Sequence, residues 1–252
     1  MKNKVIVFAG PCAVENKTQI DSVCKQINKL RLSWVRAGAY KPRLSPHSFQ
    51  GLGQRGLTML KNAAVANNLW SVTEVIDEAS LKQAIKNADA IQIGTRNMTN
   101  YSLLKLVGQA TKKNKKMILF KRGMSAKISE WLSAAEYISD GGNKNIMLCE
   151  RGLRTFEDST RFTLDISAVP VLHKQSKYPV CVDVSHAAGN ADLVPSLAKA
   201  AVAAGADAIM LEVHPNPKSA KCDGSQQLNL KQFSKLINEL RELCSALGKE
   251  LV

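Results

Sequence analysis

Short apolar or β-branched runs alternate along the chain with longer stretches in which apolar residues recur every three or four positions. The short runs predict buried strands and the longer stretches predict amphipathic helices. Eight strands are predicted, at residues 5–9, 33–36, 69–73, 90–93, 117–121, 146–149, 180–183 and 208–212. Helices are predicted between them, among others at 17–30, 55–67, 79–87, 101–109, 128–139, 191–204 and 230–247. Eight βα units in a chain of 252 residues favour a (β/α)8 TIM barrel, an α/β fold, over an open doubly wound sheet.

Composition agrees with one folded unit. With 45% hydrophobic residues the chain can bury a large core, and no linker of low complexity divides it, so we expect a single barrel domain over residues 1–252. The opening MKNKVIVFAGPC holds only a short apolar run, which is typical of a first strand and not of a signal peptide. No apolar run approaches the roughly 20 residues of a membrane span, and six cysteines without a CxxC pair indicate free thiols. These features predict a cytoplasmic protein with no membrane partner.

The charge is strongly positive. Thirty-five Lys and Arg against 21 Asp and Glu give a net charge of +14, which suits nucleic acid, an anionic membrane or anionic substrates. Most lysines lie scattered over predicted helices with few aromatic residues between them, which is typical of a solvated surface. We therefore predict anionic small molecules and no nucleic acid as partners.

Reactive and charged residues end or follow the predicted strands. These residues are Cys12, Lys41, Glu74, Arg96, Lys121, Arg151, His186, Glu212 and Asp223. In a parallel barrel the carboxyl ends of the strands converge on one mouth, where active sites are built. The sequence therefore predicts one polar site to which every strand contributes.

The segments that carry these residues match a known family in consistent order. They are AGPCAVE, RAGAYKPR, IGTRN, FKRG, CERG, DVSH, LEVHP and CDG, with the longer stretches KPRLSPHSFQGLG and CERGLRTFEDSTRFTLDISAVP. The chain resembles 3-deoxy-D-arabino-heptulosonate 7-phosphate (DAHP) synthase, in the short beta-type form of its type I class. This resemblance implies condensation of phosphoenolpyruvate with D-erythrose 4-phosphate in the shikimate pathway, by a homotetramer or homodimer. Because the chain begins almost at its first strand, it also implies no inhibition by Phe or Tyr.

The resemblance assigns four metal ligands, which are Cys12, His186, Glu212 and Asp223. Thiolate, imidazole and two carboxylates suit a divalent ion such as Mn, Fe, Co or Zn better than Mg or Ca. A lone cysteine after a strand is usually a small buried hydrophobe, but four candidates at matched positions favour a metal site. Two neighbouring residues, His214 and Cys222, are interpreted as supporting or bordering the site.

Phosphoenolpyruvate carries a phosphate and a carboxylate on three carbons, so its recognition needs several fixed cationic donors. The resemblance assigns this role to Arg36, Lys41, Arg96, Lys121 and Arg151. It assigns the phosphate of erythrose 4-phosphate to Arg43 and makes Lys41 the proton donor to the new alkoxide. Glu74 either orients the attacking water or is a structural carboxylate paired with Lys121. Glu74, Lys41 and His186 are the catalytic candidates.

The chain departs from the family pattern at a few positions. Leu44 replaces a threonine that would help hold the aldose phosphate, Val184 replaces a proline, and Asn190 and Ala191 replace basic residues. We expect these changes on the aldose side of the site.

Two other functions stay open. A related synthase could act on another aldose, as 3-deoxy-manno-octulosonate 8-phosphate synthase does, although that family typically reads KANRSS where this chain reads KPRLS. A non-catalytic paralogue would bind metal or ligand without turnover.

Overall fold

The computed structural model describes residues 3–43 and 45–252. Its strands are β1 Lys4–Gly10, β2 Trp34–Arg36, β3 Trp70–Val75, β4 Ala90–Ile93, β5 Met117–Lys121, β6 Ile146–Glu150, β7 Val180–Asp183, β8 Ala208–Glu212 and β9 Glu250–Leu251. Its α-helices are α1 Lys17–Lys29, α2 Gln54–Ala66, α3 Glu78–Asn87, α4 Tyr101–Thr111, α5 Ile128–Asp140, α6 Ala168–Gln175, α7 Val184–Ala188, α8 Val194–Ala203 and α9 Leu230–Ala246. Leu44, which the sequence singled out, lies outside the described residues.

Strands β1 to β8 close into a parallel barrel, as predicted. Each strand pairs with its successor, and β8 returns to β1 in a register that runs from Ile6 opposite Ala208 to Gly10 opposite Glu212. Strand β9 pairs in parallel with the start of β1, where Lys4 lies opposite Glu250 and Val5 opposite Leu251. Because the barrel strands are all parallel, their carboxyl ends meet at a single mouth.

The barrel interior changes from apolar to polar toward that mouth. The lower layer is a hydrophobic cluster that includes Phe8, Val72, Ala90, Leu119, Cys181 and Met210, with Trp34 packed against it. Successive side chains of a strand point to opposite faces of the sheet. The next inward-facing residue of each strand therefore lies two positions further along, closer to the mouth. The residues there are polar: Arg36, Glu74, Gln92, Lys121, Asp183 and Glu212. All of these are buried except Glu74, which is half-buried.

A second core lies between the barrel wall and the helices. Its members face outward from the strands, as Val7, Ile91 and Ile209 do, and pack against the buried faces of the helices. Trp131 of α5 is the largest fully buried side chain among the described residues. In those same ranges, no helix is long and apolar enough to cross a membrane.

The predicted strands are confirmed to within two residues at each end. Two helices near the site were not predicted. Helix α6 is short and has Pro170 in its first turn, and α7 has only five residues; neither is long enough to show a clear helical period. The helix predicted at 191–204 begins instead with a 3₁₀ turn at Ala191–Leu193, and α8 follows with Pro195 in its first turn.

Candidate active site

A cavity of about 260 Å³ opens at the carboxyl ends of the strands. Its lining includes eight of the predicted site residues: Lys41, Arg43, Glu74, Arg96, Lys121, Arg151, His186 and Asp223. The other three, Cys12, Arg36 and Glu212, are buried. Cys12 and Glu212 contact lining residues directly, and Arg36 lies behind them against Glu212. The structure thus brings together residues that are more than 200 positions apart in the chain.

The four predicted metal ligands form one cluster. One ligand atom from each of Cys12, His186, Glu212 and Asp223 lies within 4.8 Å of the other three. Cys12 Sγ is 3.3 Å from Asp223 Oδ2, and His186 Nε2 is 3.5 Å from Glu212 Oε1 and 3.8 Å from Asp223 Oδ2. A thiol, an imidazole and two carboxylates at these separations point to a site for a divalent cation.

Local structure sets the direction of each ligand. Asp183 caps α7 by accepting a hydrogen bond from the backbone N–H of His186 at 3.1 Å, and its Oδ2 lies 2.8 Å from His186 Nδ1. The ring therefore turns Nε2 toward the two ligand carboxylates. Asp223 has a left-handed backbone with φ 51°, which Asp tolerates better than most residues, and precedes the 3₁₀ turn Gly224–Gln226. That conformation directs its carboxylate back toward Cys12.

A buried cation and a buried amide hold Glu212 from two sides. Arg36 Nη1 lies 2.8 Å from Glu212 Oε1, and Gln226 Nε2 donates to Glu212 Oε2 at 2.6 Å. Burial alone would raise the pKa of Glu212, but His186, when it is protonated at low pH, and Arg36 outweigh burial and lower that pKa. Glu212 is therefore an anion at neutral pH.

The pKa values of two further ligands, His186 and Cys12, are shifted in opposite directions. Burial lowers the pKa of His186 against the opposing effect of Asp183, so the imidazole is neutral at neutral pH, the form that binds metal. A hydrogen bond with the Cys222 thiol, together with burial, raises the pKa of Cys12 well above its ordinary value. Without a cation, Cys12 is therefore a thiol, and a metal must displace its proton to bind it.

Lys41, which follows β2, contacts the cluster of predicted metal ligands. Its Nζ donates to the carbonyl oxygen of Cys12 and lies 3.1 Å from Cys12 Sγ. Burial would lower the pKa of Lys41, but Cys12, in the thiolate form that it takes above its own pKa, and Glu74 outweigh burial and raise the pKa of Lys41. The group is a protonated ammonium poised between the ligand cluster and the cavity.

The other basic residues form the cavity wall. Lys121 is paired with the buried carboxylate of Asp183. Arg151 lies with its guanidinium 3.8 Å from the ring centroid of Phe162, an arrangement that favours both cation–π attraction and a fixed orientation. Arg96 lies on the 3₁₀ turn Thr95–Asn97 that follows β4. Lys121, Arg151 and Arg96 all line the cavity, so its wall is suited to bind an anionic small molecule.

Glu74 differs from expectation in two ways. It lies within β3 and not after it, and the expected alternative of a pair with Lys121 is wrong because Lys121 pairs with Asp183. Glu74 instead accepts a hydrogen bond from Gln92 Nε2 at 2.9 Å and faces the cavity. Gly94 leaves room for this carboxylate, since a Cβ there would lie 2.0 Å from Glu74 Oε1.

The departures from the family pattern near His186 do not line the cavity. Val184 is fully buried in the outer core, and Ala191 borders a separate surface groove. Asn190 caps the 3₁₀ turn at residues 191–193 by accepting from Asp192 N–H. These three positions therefore lie outside the cavity lining, and their place relative to the aldose stays a prediction.

The two neighbouring residues have separate surroundings. His214 is buried with Nε2 3.6 Å from Glu15 Oε2, three residues after Cys12. Cys222 packs beside Cys12. All six cysteines are free thiols.

Sequence patterns missed several residues of the site. Arg161, Phe162, Ser45 and Ser48 line the cavity, and Asp183 and Gln226 hold the ligands. Asp183 could have been predicted, because it lies two residues after the inward-facing Cys181 and therefore points to the same face of β7. Arg161 and Gln226 lie in loops without a periodic pattern, and only the folded chain brings them to the site.

Comparison with known proteins agrees with this geometry. The model of the DAHP synthetase I family matches residues 1–248, and the chain belongs to that family. It is 47% identical over 242 residues to phospho-2-dehydro-3-deoxyheptonate aldolase of Thermotoga maritima, covering 96% of this chain and 70% of the relative. It is 30% identical to 2-dehydro-3-deoxyphosphooctonate aldolase of Desulfosudis oleivorans, covering 94% of this chain and 89% of that protein.

Solved structures of DAHP synthase superpose closely on this chain. The crystal structure of the Thermotoga maritima DAHP synthase superposes with a TM-score of 0.95 at 45% identity, covering 99% of this chain and 72% of that one. A truncated form of the Thermotoga maritima enzyme superposes with a TM-score of 0.92 at 42% identity, covering 99% of this chain and 90% of that one.

Proposed function

We propose that this protein condenses phosphoenolpyruvate with D-erythrose 4-phosphate, giving DAHP and inorganic phosphate in the first step of the shikimate pathway. The observation that carries the proposal is the junction of a thiol, imidazole and carboxylate cluster with a wall of cations in one cavity. A metal site alone would suit many reactions, and a basic pocket alone would suit any phosphate. Together they fit a reaction that joins an anionic phosphate ester to a carbonyl compound.

The donor set fits a resident divalent cation. Cys12 would supply a thiolate, His186 a neutral imidazole, and Glu212 and Asp223 would supply carboxylates. This mixture favours Mn, Fe, Co or Zn over Mg or Ca, which prefer shells made wholly of oxygen. When bound, the cation would polarise the aldehyde oxygen of the second substrate.

The cation wall supports the assignment of the phosphoenolpyruvate site. Arg96, Lys121 and Arg151 line the cavity, and their fixed guanidinium and ammonium groups would bind the phosphate and carboxylate of phosphoenolpyruvate. Arg36 is buried against Glu212, so we assign it an electrostatic role behind the ligands as well. Arg43 lies 3.9 Å from Asp223 at the other end of the cavity and would bind the aldose phosphate there.

The chain's own residues would handle the protons. C3 of phosphoenolpyruvate attacks the aldehyde carbon, and the resulting alkoxide takes a proton from the ammonium of Lys41, beside the ligand cluster. Water, oriented by Glu74, then adds at C2. The hemiketal phosphate collapses with cleavage of the bond between C2 and the bridging oxygen, which leaves with the phosphate. Lys121, Arg96 and Arg151 would stabilise the negative charge in each step.

The heptulosonate product is favoured over the octulosonate product by sequence similarity. The relative named for the former is 47% identical and the relatives named for the latter are about 30% identical. Residues 41–45 read KPRLS, as expected for the heptulosonate enzyme apart from Leu44. We also propose the beta-type form of the family, a cytoplasmic location and a homotetramer or homodimer. Light scattering of the purified protein would measure the assembly.

The direct test is to supply both substrates in ¹⁸O-labelled water and to analyse the phosphate and the sugar product. We expect DAHP as the product and phosphate without label, because water adds to carbon and not to phosphorus. A panel that includes arabinose 5-phosphate would identify the preferred aldose. Strong preference for arabinose 5-phosphate would favour the octulosonate reaction. Binding of metal and phosphoenolpyruvate without turnover of any aldose would favour the non-catalytic paralogue.

A further inference from the structure

Arg161 connects the cavity surface to the ligand cluster. It lies on the loop between β6 and α6, is 37% exposed, and lines the cavity. Its Nη1 donates to Gln226 Oε1 at 2.7 Å and lies 3.4 Å from Asp223 Oδ2. Gln226 is buried and in turn donates from Nε2 to Glu212 Oε2 at 2.6 Å. One arginine thus contacts one ligand carboxylate directly and the other through an amide.

The hydrogen-bonding capacities of these groups leave one orientation for the Gln226 amide. A guanidinium only donates and a carboxylate only accepts. Oε1 of Gln226 must therefore face Arg161, and Nε2 must face Glu212. Arg161 keeps the amide from rotating about its last bond, because rotation would set NH₂ against guanidinium and oxygen against carboxylate. Both contacts involve a charged group, which makes them stronger than ordinary neutral hydrogen bonds.

The backbone fixes Arg161 in this place. Leu153 and Thr163 form an antiparallel bridge across the loop. The amides of Arg161 and Phe162 donate to the carbonyl oxygens of Ala188 and Ala187 at the end of α7. The loop lies so close to α7 that a Cβ on Gly189 would be 2.5 Å from Arg161 Cβ, and Gly189 itself has φ 69°. Arg161 is thus anchored to the short helix that carries His186.

We propose that Arg161 is a positioning residue for the metal site, acting on Glu212 through Gln226 and on Asp223 directly. This inference rests on the proposed ligand set. The hydrogen-bond partners of metal ligands fix ligand orientation, and their removal typically weakens metal affinity roughly 10- to 100-fold. Arg161 takes no part as a ligand itself. Its effect should therefore appear in the binding of a metal ion even when no substrate is present.

The test is a competition between a chromophoric chelator and the purified protein for Co²⁺. We expect Arg161→Met and Gln226→Met each to weaken binding roughly 10-fold or more. Both substitutions interrupt the connection from Arg161 through Gln226 to Glu212. The double variant should therefore bind Co²⁺ only slightly more weakly than the single variant with the lower Co²⁺ affinity. Arg161→Lys keeps one donor and should lie between wild type and Arg161→Met. Arg154→Met, an exposed arginine on the same loop, is the matched control and should bind as wild type does.

Two results would overturn the inference. One is Co²⁺ affinity of Arg161→Met within twofold of wild type. The other is a double variant whose loss equals the product of the single losses, which would mean that the two residues act independently. If Gln226→Met does not fold, the visible absorption of the Co²⁺ complex of Arg161→Met decides instead, and an unchanged spectrum contradicts the proposal. Failure of the ligand set itself would look different, since wild type and Cys12→Ser would then bind Co²⁺ equally.

Discussion

His186 Nδ1 lies 2.8 Å from Oδ2 of Asp183, and this contact turns the other ring nitrogen toward Glu212 and Asp223. Asp183 is fully buried and also pairs with Lys121 of the cation wall. Burial would raise the pKa of Asp183, but His186 and Lys121 outweigh it and hold that pKa well below its ordinary value. One carboxylate therefore orients a ligand candidate and anchors a candidate phosphate-binding lysine.

Replacing this carboxylate by an amide should damage both functions. We expect Asp183→Asn to weaken Co²⁺ binding roughly 10- to 100-fold, because the neutral amide no longer supports the basicity and orientation of His186. The KM for phosphoenolpyruvate should rise as well, since Lys121 loses its anionic partner. Chelator competition and steady-state kinetics measure the two effects. Asp207→Asn is the control, because Asp207 also pairs with a histidine, His173, but at the opposite end of the barrel; equal metal affinity in the two variants would contradict the prediction.

Removal of metal should abolish turnover. Phosphate release should stop after chelation and return when Mn²⁺ or Co²⁺ is added. Cys12→Ser should lose most activity, because a neutral hydroxyl is a poor replacement for a thiolate on such an ion. Cys24→Ser is the control: Cys24 is buried on α1, and burial raises its pKa to about 12, so it is an unreactive core thiol. Full activity of protein shown by elemental analysis to be free of metal would refute the metal requirement.

Metal affinity should increase with pH. The pKa of Cys12 is raised by its hydrogen bond with Cys222 and by burial, so the metal-free protein holds a proton that the cation must displace. At higher pH, less free energy is needed to displace this proton. Displacement of one proton gives an increase of about tenfold in affinity per pH unit below that pKa. Titrations at pH 6, 7 and 8 check this slope, and Cys12→Ser should flatten it.

A capping box formed by Asp77 and Ser80 begins helix α3, and its contribution to the free energy of unfolding can be measured. The Asp77 side chain accepts from Ser80 N–H at 2.7 Å, and these hydrogen bonds lower the pKa of Asp77. We expect Asp77→Ala to reduce the free energy of unfolding by about 1 kcal/mol at pH 7. A carboxylate with a lowered folded pKa stabilises above its unfolded pKa of about 3.9 and loses that effect as pH falls through the folded value. The difference between variant and wild type should therefore shrink below about pH 4 in denaturant titrations.

Leu44 provides a test of aldose recognition that rests on the sequence. If the chain uses erythrose 4-phosphate, Leu44→Thr restores one neutral hydrogen bond of roughly 0.5 to 1.5 kcal/mol. The KM for erythrose 4-phosphate should fall by at most about one decade, while the KM for phosphoenolpyruvate stays nearly constant. Leu44→Val, which has the shape of threonine without its hydroxyl, is the control. If both substitutions lowered the KM for erythrose 4-phosphate equally, side-chain size and not a hydrogen bond would account for the change.

Much of the fold could be predicted from the chain itself. The eight barrel strands are short, strongly apolar runs separated by amphipathic stretches, and parallel strands buried on both faces produce such runs for a physical reason that acts locally. The polar residues of the mouth could be predicted in the same way, because they end those runs. Helices α6 and α7 could not, because short segments with a proline or a single turn carry no clear period.

The sequence by itself determined the barrel, the order of its strands and many of the reactive residues at its mouth, because apolar runs and alternation along a strand are local properties. Only the tertiary structure decided how those residues are held. Arg36 meets Glu212 across 176 positions, and Arg161 meets Gln226 across 65. Glu74 lies beside Gln92, and Lys121 lies beside Asp183. Such partners are chosen by closure of the barrel and by the paths of irregular loops, and no periodicity in the chain encodes either.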